Sequence, residues 1–270
     1  RLPLSSTIVA ALHIQFVVAD PAAHTMGQRL RRYVASRVHH AIDSEQYRSI
    51  RVIGSYDRSA QASETEKRGK RENWQRPTAS RRADELMIHC FPGLDYVFHY
   101  GSLIATHLGL TGRDPGIVEL VPPTFADCLA QIRCGGFDRL DRSELVIVGA
   151  GLETVYPGAQ WRDLGTFYAS RERDRSVTWL IVKHSFWGDI ARALLLHLHE
   201  LGFHKFIFIG KLGSLRPGHV PNETLATGSS SNVEGTIISW SNLVETVTAA
   251  NLYRGHHVTL PSVLQETCSA

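Results

Sequence analysis

Residues 177–215, VTWLIVKHSFWGDIARALLLHLHELGFHKFIFIGKLGSL, decide the fold because they alternate strand, helix and strand. Residues 177–184 predict a buried strand. Residues 188–201 predict a helix with one broad apolar face, and Gly202 stands at its C-terminal end. Residues 205–210 predict the next strand, which a glycine turn follows. This β–α–β order requires a right-handed crossover and parallel strands.

A further buried strand is predicted just upstream, where SELVIVGAG, residues 143–151, ends in glycines. The fold class is therefore α/β, with a three-layer α/β/α arrangement and a mostly parallel central sheet in a domain at 141–270. Residues 1–140 predict a smaller α/β region of unknown role. A charged linker at 58–83 interrupts that region, because Ser, Arg, Lys and Glu replace any apolar period there.

Within the first region, apolar residues at four-residue spacing, Leu30, Val34 and Val38, predict a helix over 26–41. RSIRVIGSY, residues 48–56, predicts a strand. Two apolar segments remain. Residues 94–110 predict a helix or a strand, and residues 125–136 predict a helix. No internal repeat is visible in the sequence. The scattered histidines lack carboxylate or cysteine partners at ligand spacing, so no metal site is predicted.

Composition excludes several classes of protein. The apolar share of 43% and the charged share of 20% are typical of a soluble globular protein. Four cysteines without a CxxC pair argue against a disulfide framework and predict a cytoplasmic location. Residues 8–19 are apolar but too short to span a bilayer, so they predict a buried strand and no membrane contact.

The formal charge of +3 is too small for a dedicated nucleic-acid binder. The linker alone carries a cluster of Lys and Arg around Trp74, which could contact phosphate groups and stack on bases. Since the segment has no apolar period, a solvated linker is the favoured interpretation.

Ligands of such sheets bind at the carboxyl edge, where three loops qualify: residues 149–151, 184–189 and 210–214. The two glycines of the first loop could open a dinucleotide-binding turn. The third glycine of that motif would fall at Thr154, however, and Pro157 cuts short the helix that should follow. A tight turn is therefore the better interpretation, and no nicotinamide cofactor is predicted.

The other two loops carry a family resemblance. Residues 181–216, IVKHSFWGDIARALLLHLHELGFHKFIFIGKLGSLR, resemble nucleoside phosphorylases and nucleosidases, in which a strand, a substrate loop, a helix and a second strand lead into a glycine turn. The resemblance continues through LATGSSSNVEG at 225–235 and HHVTLPSVLQET at 256–267, which resemble the next two strands of that fold. It implies cleavage of an N-glycosidic bond through an oxocarbenium-like state.

The resemblance also implies a nucleoside-like ligand, with either phosphate or water as the nucleophile, and a homo-oligomer with subunit contacts at the site. No cofactor is predicted. The substrate-binding residues that it implies are Gly151, His184, Trp187, Gly188, Asp189, Gly210, Lys211 and Leu212.

The chain departs from the family pattern at informative positions. Phe208 stands where the family has an arginine, and Asp189 would repel a phosphate at the start of the helix. Lys211 could still supply a positive charge, or it could be a solvent-facing lysine. Asp189 could equally be a helix N-cap, and Trp187 a lid or core aromatic.

The family's acidic sugar clamp and catalytic aspartate lie beyond residue 267, so no catalytic residue is assigned and the domain is expected to be incomplete, as in a fragment. Two hypotheses follow. The chain is a nucleoside phosphorylase-like transferase or nucleosidase-like hydrolase, or it is a non-catalytic descendant that binds a nucleotide-like ligand or a partner.

Overall fold

The structure is a computed structural model. It describes residues 16–55, 61–62, 76–149, 151–172, 176–184, 186–214, 218–220, 223–233, 235–260 and 262–267. The predicted strand at 8–19 lies mostly outside these residues, as does most of the basic cluster around Trp74.

The described residues up to Val121, which we call the first half, form two helices and five strands. They are α1 (Arg29–Ala35), β1 (Ser49–Ile53), β2 (Gln61–Ala62), β3 (Thr78–Arg82), β4 (Glu85–His89), α2 (Leu94–Leu110) and β5 (Val118–Val121). The predicted helix at 26–41 is shorter than expected: it ends at Ala35, and a separate 3-10 turn follows at His40–Asp43. The ambiguous segment 94–110 is a helix with most of its side chains buried.

The described residues from Phe125 to Ile209, which we call the second half, form three helices and five strands. They are α3 (Phe125–Arg133), β6 (Leu145–Gly149), α4 (Leu152–Val155), β7 (Arg162–Asp163), β8 (Phe167–Arg171), β9 (Val177–Val182), α5 (Gly188–Glu200) and β10 (Phe206–Ile209). The strands and the helix of residues 177–215 therefore form where the sequence predicts them. A capping box between Thr124 and Asp127 begins α3.

The two halves have the same sheet topology. In the first half the strand order is β2-β3-β4-β1-β5, and β1 runs parallel to both β4 and β5. In the second half the order is β7-β8-β9-β6-β10, and β6 runs parallel to both β9 and β10. Each half ends in the same succession of strand, helix and strand. The internal repeat that the sequence does not reveal is thus present in the topology.

Both sheets are mixed, whereas the sequence predicts a mostly parallel sheet. In the second half β8 pairs antiparallel with β9 and β7 with β8, because the connections between these strands are too short for a crossover. The α/β class itself is observed.

The predicted linker also differs from expectation. Residues 61–62 and 78–82 form β2 and β3, and Thr78 and Ala79 are buried. Hydrogen bonds to β4 and the burial of these two side chains explain why a segment without apolar period is ordered.

One continuous cluster of buried apolar residues draws from both halves. Helix α1 packs against α2, α3 packs against α5, and α2 contacts α5 across the boundary between the halves. The ranges 1–140 and 141–270 of the predicted division therefore share a core in the described residues.

The C-terminal segment forms two small sheets of its own. Their strands are β11 (Leu225–Thr227), β12 (Ser230–Val233), β13 (Thr236–Ser239), β14 (Leu252–Arg254) and β15 (His257–Thr259). Strand β11 pairs with β14, and β12 pairs with β13 and β15. The segments 225–235 and 256–267 were expected to continue the main sheet, but their described strands pair with strands of the C-terminal segment and not with the main sheet.

Residues 262–267 return to the first half of the chain. His24 Nε2 lies 3.0 Å from the carbonyl oxygen of Val263, and the amide of Thr25 donates to the carbonyl oxygen of Glu266 at 2.9 Å. Leu264 is 1% exposed and belongs to the common core.

Candidate functional site

Three parallel strands bring the predicted loops to one edge of the second sheet. Strand β6 lies between β9 and β10 and runs parallel to both, so residues 149–151, 184–189 and 210–214 follow strand ends at the same carboxyl edge. The approach of β10 to β6 is close, since a Cβ on Gly149 would collide with the carbonyl oxygen of Ile209.

The first of these loops is a left-handed turn. Gly151 has a φ of +71° and precedes the short helix α4. A side chain at that backbone conformation would be strained, which accounts for glycine. Helix α4 has only four residues, so it provides no dipole that could hold a pyrophosphate.

The second loop faces the first half of the chain. The ring of Trp187 lies 6.2 Å from that of Tyr96 and 5.5 Å from that of His99 in edge-on geometry. His99 Nδ1 in turn lies 2.8 Å from Ser262 Oγ. Trp187 is therefore held by aromatic groups of α2 at the boundary between the halves.

Asp189 and Asp95 cap each other's helices. Asp189 Oδ2 accepts from the amide of Leu94 at 2.7 Å, and its Oδ1 accepts from the amide of Asp95 at 3.3 Å. In return, Asp95 Oδ2 accepts from the amide of Asp189 at 2.8 Å. Asp189 is thus a cap, as one interpretation predicted, but it caps α2 and not its own helix α5.

Gly188 makes this exchange of caps possible. It has a φ of +57°, and a Cβ at this position would collide with the carboxylate of Asp95. Burial raises the pKa of Asp189, and the nearby Asp95 raises it further. Burial, helped by the charges of these two carboxylates, also raises the pKa of Cys128 on α3 to about 12. Cys128 is therefore a thiol and not a thiolate at neutral pH.

His184 lies under this boundary as a buried, uncharged ring. It is 4% exposed and stacks on Phe91 with 4.7 Å between ring centroids and 5° between planes. Neither ring nitrogen has a hydrogen-bond partner among the described residues. Burial lowers the pKa of His184 to about 3, so the ring is neutral at physiological pH.

The third loop is open to solvent. Gly210, Lys211 and Leu212 are exposed, with Leu212 at 61%. Phe208, which replaces the expected arginine, is 59% exposed, and its ring lies 5.5 Å from that of Phe186 in the second loop. The second loop therefore meets the end of β10, just before the third loop, through aromatic rings.

Glu153 is a further candidate that the sequence did not single out. It lies on α4, directly after the first loop, and its Oε2 is buried without a hydrogen-bond partner among the described residues. A carboxylate soon after a strand that ends in glycines is the only signal the sequence offers. Phe91, Asp95 and His99 were also missed, because they belong to the other half of the chain.

The described residues contain no group of three or more His, Cys, Asp or Glu side chains placed to hold a metal ion. Among their helices, none has the length and apolar character needed to cross a membrane.

Comparison with known proteins finds no relative. The chain matches no model of a protein family, no curated protein and no solved structure. The resemblance to nucleoside phosphorylases and nucleosidases therefore remains a prediction from the sequence.

Proposed function

We propose that the second half of the chain binds a nucleoside-like compound at the carboxyl edge of β9, β6 and β10 and cleaves its N-glycosidic bond. The observation that carries this proposal is the convergence of the three predicted loops on one edge of parallel strands. The proposal includes a nucleosidase-like, three-layer arrangement of this half, in which α4 packs on β9 and α5 packs with α3 on the other helical layer.

Water is the better nucleophile for this site than phosphate. The amides at the starts of α2 and α5 donate to the carboxylates of Asp189 and Asp95, so their dipoles are already matched with negative charge. A phosphate would meet two carboxylates there, and Lys211 is the single cation of the three loops. We therefore propose hydrolysis, in the manner of a nucleosidase.

Glu153 is the residue we assign to activating that water. Hydrolysis through an oxocarbenium-like state needs a carboxylate near the sugar to orient or deprotonate the nucleophile. Glu153 Oε2 has no hydrogen-bond partner within the described residues and belongs to the edge where the ligand would lie. A carboxylate left without a partner in the folded chain is available for a water or a ligand hydroxyl.

The first half completes this site within the same chain. Phe91 stacks on His184, and Tyr96 and His99 hold Trp187, so residues of the second loop rest on the first half. The resemblance implies subunit contacts at the site. We propose that contacts between the two halves replace them.

The test is release of free base from adenosine, inosine and uridine, measured with and without phosphate. We expect base release that does not require phosphate and that falls at least about 100-fold in Glu153→Gln, the usual scale for losing an acid–base group. Glu144→Gln, an exposed glutamate before the opposite end of β6, is the matched control and should keep full activity.

A second function is favoured by the same capped helices. Asp95 and Asp189 already accept from the helix-start amides that an anion would need. If Glu153 in addition only packs and does not activate a water, the chain would bind nucleosides without cleaving them. Calorimetry with the same three nucleosides separates the two functions. Heat of binding without base release supports the non-catalytic descendant, and base release excludes it.

A further inference from the structure

A cavity lies at the end of the second sheet opposite the candidate site. Its volume is about 420 Å³. Its lining includes Leu140, Asp141, Trp161, Arg162, Arg171 and Thr178. Thr178 is near the start of β9, and Leu140 and Asp141 precede β6. The cavity therefore faces the amino ends of the parallel strands, about 13 Å along β9 from its carboxyl end.

The cavity opens on the core face of this sheet. Arg171 pairs with Thr178, and Ala169 pairs with both Arg162 and Leu180. Because directly paired residues point to the same face, these side chains share the face on which Leu180 is fully buried. The cavity is thus a recess at the rim of the core, not a groove between loops.

Two uncharged side chains in its wall, Thr178 and Trp161, have a buried polar atom without a hydrogen-bond partner among the described residues. Thr178 is 2% exposed, and its Oγ1 makes no hydrogen bond to the described residues. The same holds for Trp161 Nε1, a donor that is usually satisfied when buried. A ligand with acceptor atoms in the cavity would satisfy both groups.

The charge of the wall favours an anion. Two arginines and one aspartate give a formal charge of +1. Arg171 Nη1 lies 3.7 Å from Asp141 Oδ2, which is longer than a charge-assisted hydrogen bond. The guanidinium of Arg162 donates to the carbonyl oxygen of Arg139 at 3.3 Å, its one hydrogen bond to the described residues. Arg162 therefore retains donors for a ligand.

We propose that this cavity binds a small organic oxyanion. The charged group would meet the guanidinium of Arg162 and the donors of Trp161 and Thr178. The volume exceeds what a bare tetrahedral anion needs and lies in the range of small-molecule sites, so the ligand carries a carbon body against Leu140 and the Trp161 ring. This inference does not rest on the proposed function, since the two sites lie at opposite ends of the strands.

The test is calorimetric titration of the full chain with ribose 5-phosphate and with gluconate, using neutral ribose as the control ligand. We expect at least one of the two anions to bind and ribose not to bind. Which anion binds distinguishes a phosphate ester from a carboxylate. Arg162→Gln should weaken the binding about tenfold or more, as the loss of a charged hydrogen bond does, and because Arg162 is exposed the fold should persist.

Two more variants make the result specific to the cavity. Thr178→Val removes the unsatisfied hydroxyl at nearly constant volume and should weaken binding several-fold. Arg29→Gln removes an exposed arginine on α1 and should leave binding unchanged. The inference is overturned if neither anion binds at concentrations up to about 10 mM, or if Arg162→Gln binds as tightly as the natural chain.

Discussion

The two halves share a sheet topology but differ at the edge where ligands of such sheets bind. In the first half residues 90–93 are buried, and Pro123 packs so closely on Gly54 that a Cβ there would collide with its ring. In the second half Phe208 and residues 210–214 are exposed. The first edge is therefore covered by packing, whereas at the second edge the turn after β10 is exposed and His184 is buried. The exposed turn supports our proposal that the second half carries the site and the first half serves as its packing partner.

The largest expected loss of stability comes from substituting Gly188, the glycine at which the two halves pack together. Gly188→Ala adds a side chain at a φ of +57° and drives it into the Asp95 carboxylate. We expect a loss of about 3–5 kcal/mol in the free energy of unfolding, from backbone strain and overpacking together. Urea denaturation measures it. Gly158→Ala, where a Cβ meets nothing within 4 Å, is the control and should change stability by less than about 0.5 kcal/mol.

The second-largest expected effect is a dependence of folding stability on pH, which arises from His184. Burial lowers its pKa to about 3 from the ordinary 6.5, so the folded chain binds fewer protons than the unfolded chain between these values. Stability should therefore be lost as pH falls from 6.5 towards 3, by about 1.4 kcal/mol per pH unit at most.

The variant His184→Phe should keep the stack on Phe91 and flatten this slope in urea denaturation at several pH values. A remaining slope is expected from His99, whose pKa burial lowers to about 4. An equally steep slope in His184→Phe would contradict the neutral buried ring.

The third effect tests whether the two caps are equivalent. Asp189 accepts from two amides of α2, whereas Asp95 accepts from one amide of α5. Asp189→Ala should therefore cost about 1–2 kcal/mol and Asp95→Ala about half as much. Because the two carboxylates repel each other, each single substitution also relieves that repulsion, and the double variant should therefore lose more than the sum of the single losses. Additive losses in chemical denaturation would show that the caps are independent.

The smallest expected loss of stability comes from the polar contacts that join α3 to α5 and α1 to α2. Arg133 of α3 forms an exposed ion pair with Glu200 of α5 at 2.8 Å, and Arg31 of α1 donates to the carbonyl oxygen of Leu110 at the end of α2 at 2.7 Å. Each substitution to Gln should cost no more than about 1 kcal/mol. Added salt should reduce the effect of Arg133→Gln more than that of Arg31→Gln, since only the first breaks an ion pair. Thermal unfolding in low and high salt measures both.

The strands and helices with strong periodicity could be predicted from the sequence. The apolar runs at 145–149 and 177–182 and the amphipathic helix at 188–200 form within a few residues of their predicted positions. The strand at 78–82 could not be predicted, because its side chains are mostly polar and a basic run lies beside it. Its pairing with β4 is what orders it. Local pattern carries no information on such pairing.

The repeat and the boundary between the halves were not predictable for a related reason. Both halves have a glycine and an aspartate where a helix follows a strand, Gly93 and Asp95 in one and Gly188 and Asp189 in the other. The equivalent strands β1 and β6 also lead into a glycine each, Gly54 and Gly149. These shared signals are too short to reveal a repeat. They also give no hint that each aspartate caps the opposite helix, because that depends on how the halves pack.

Backbone amide hydrogen exchange with and without adenosine tests the central claim most directly, because it compares the two edges in one experiment. The account predicts that the nucleoside protects residues 149–153, 184–189 and 208–212 and leaves residues 53–55, 90–93 and 121–124 unchanged. Protection confined to the first-half edge, or no protection at either edge at saturating nucleoside, would contradict it.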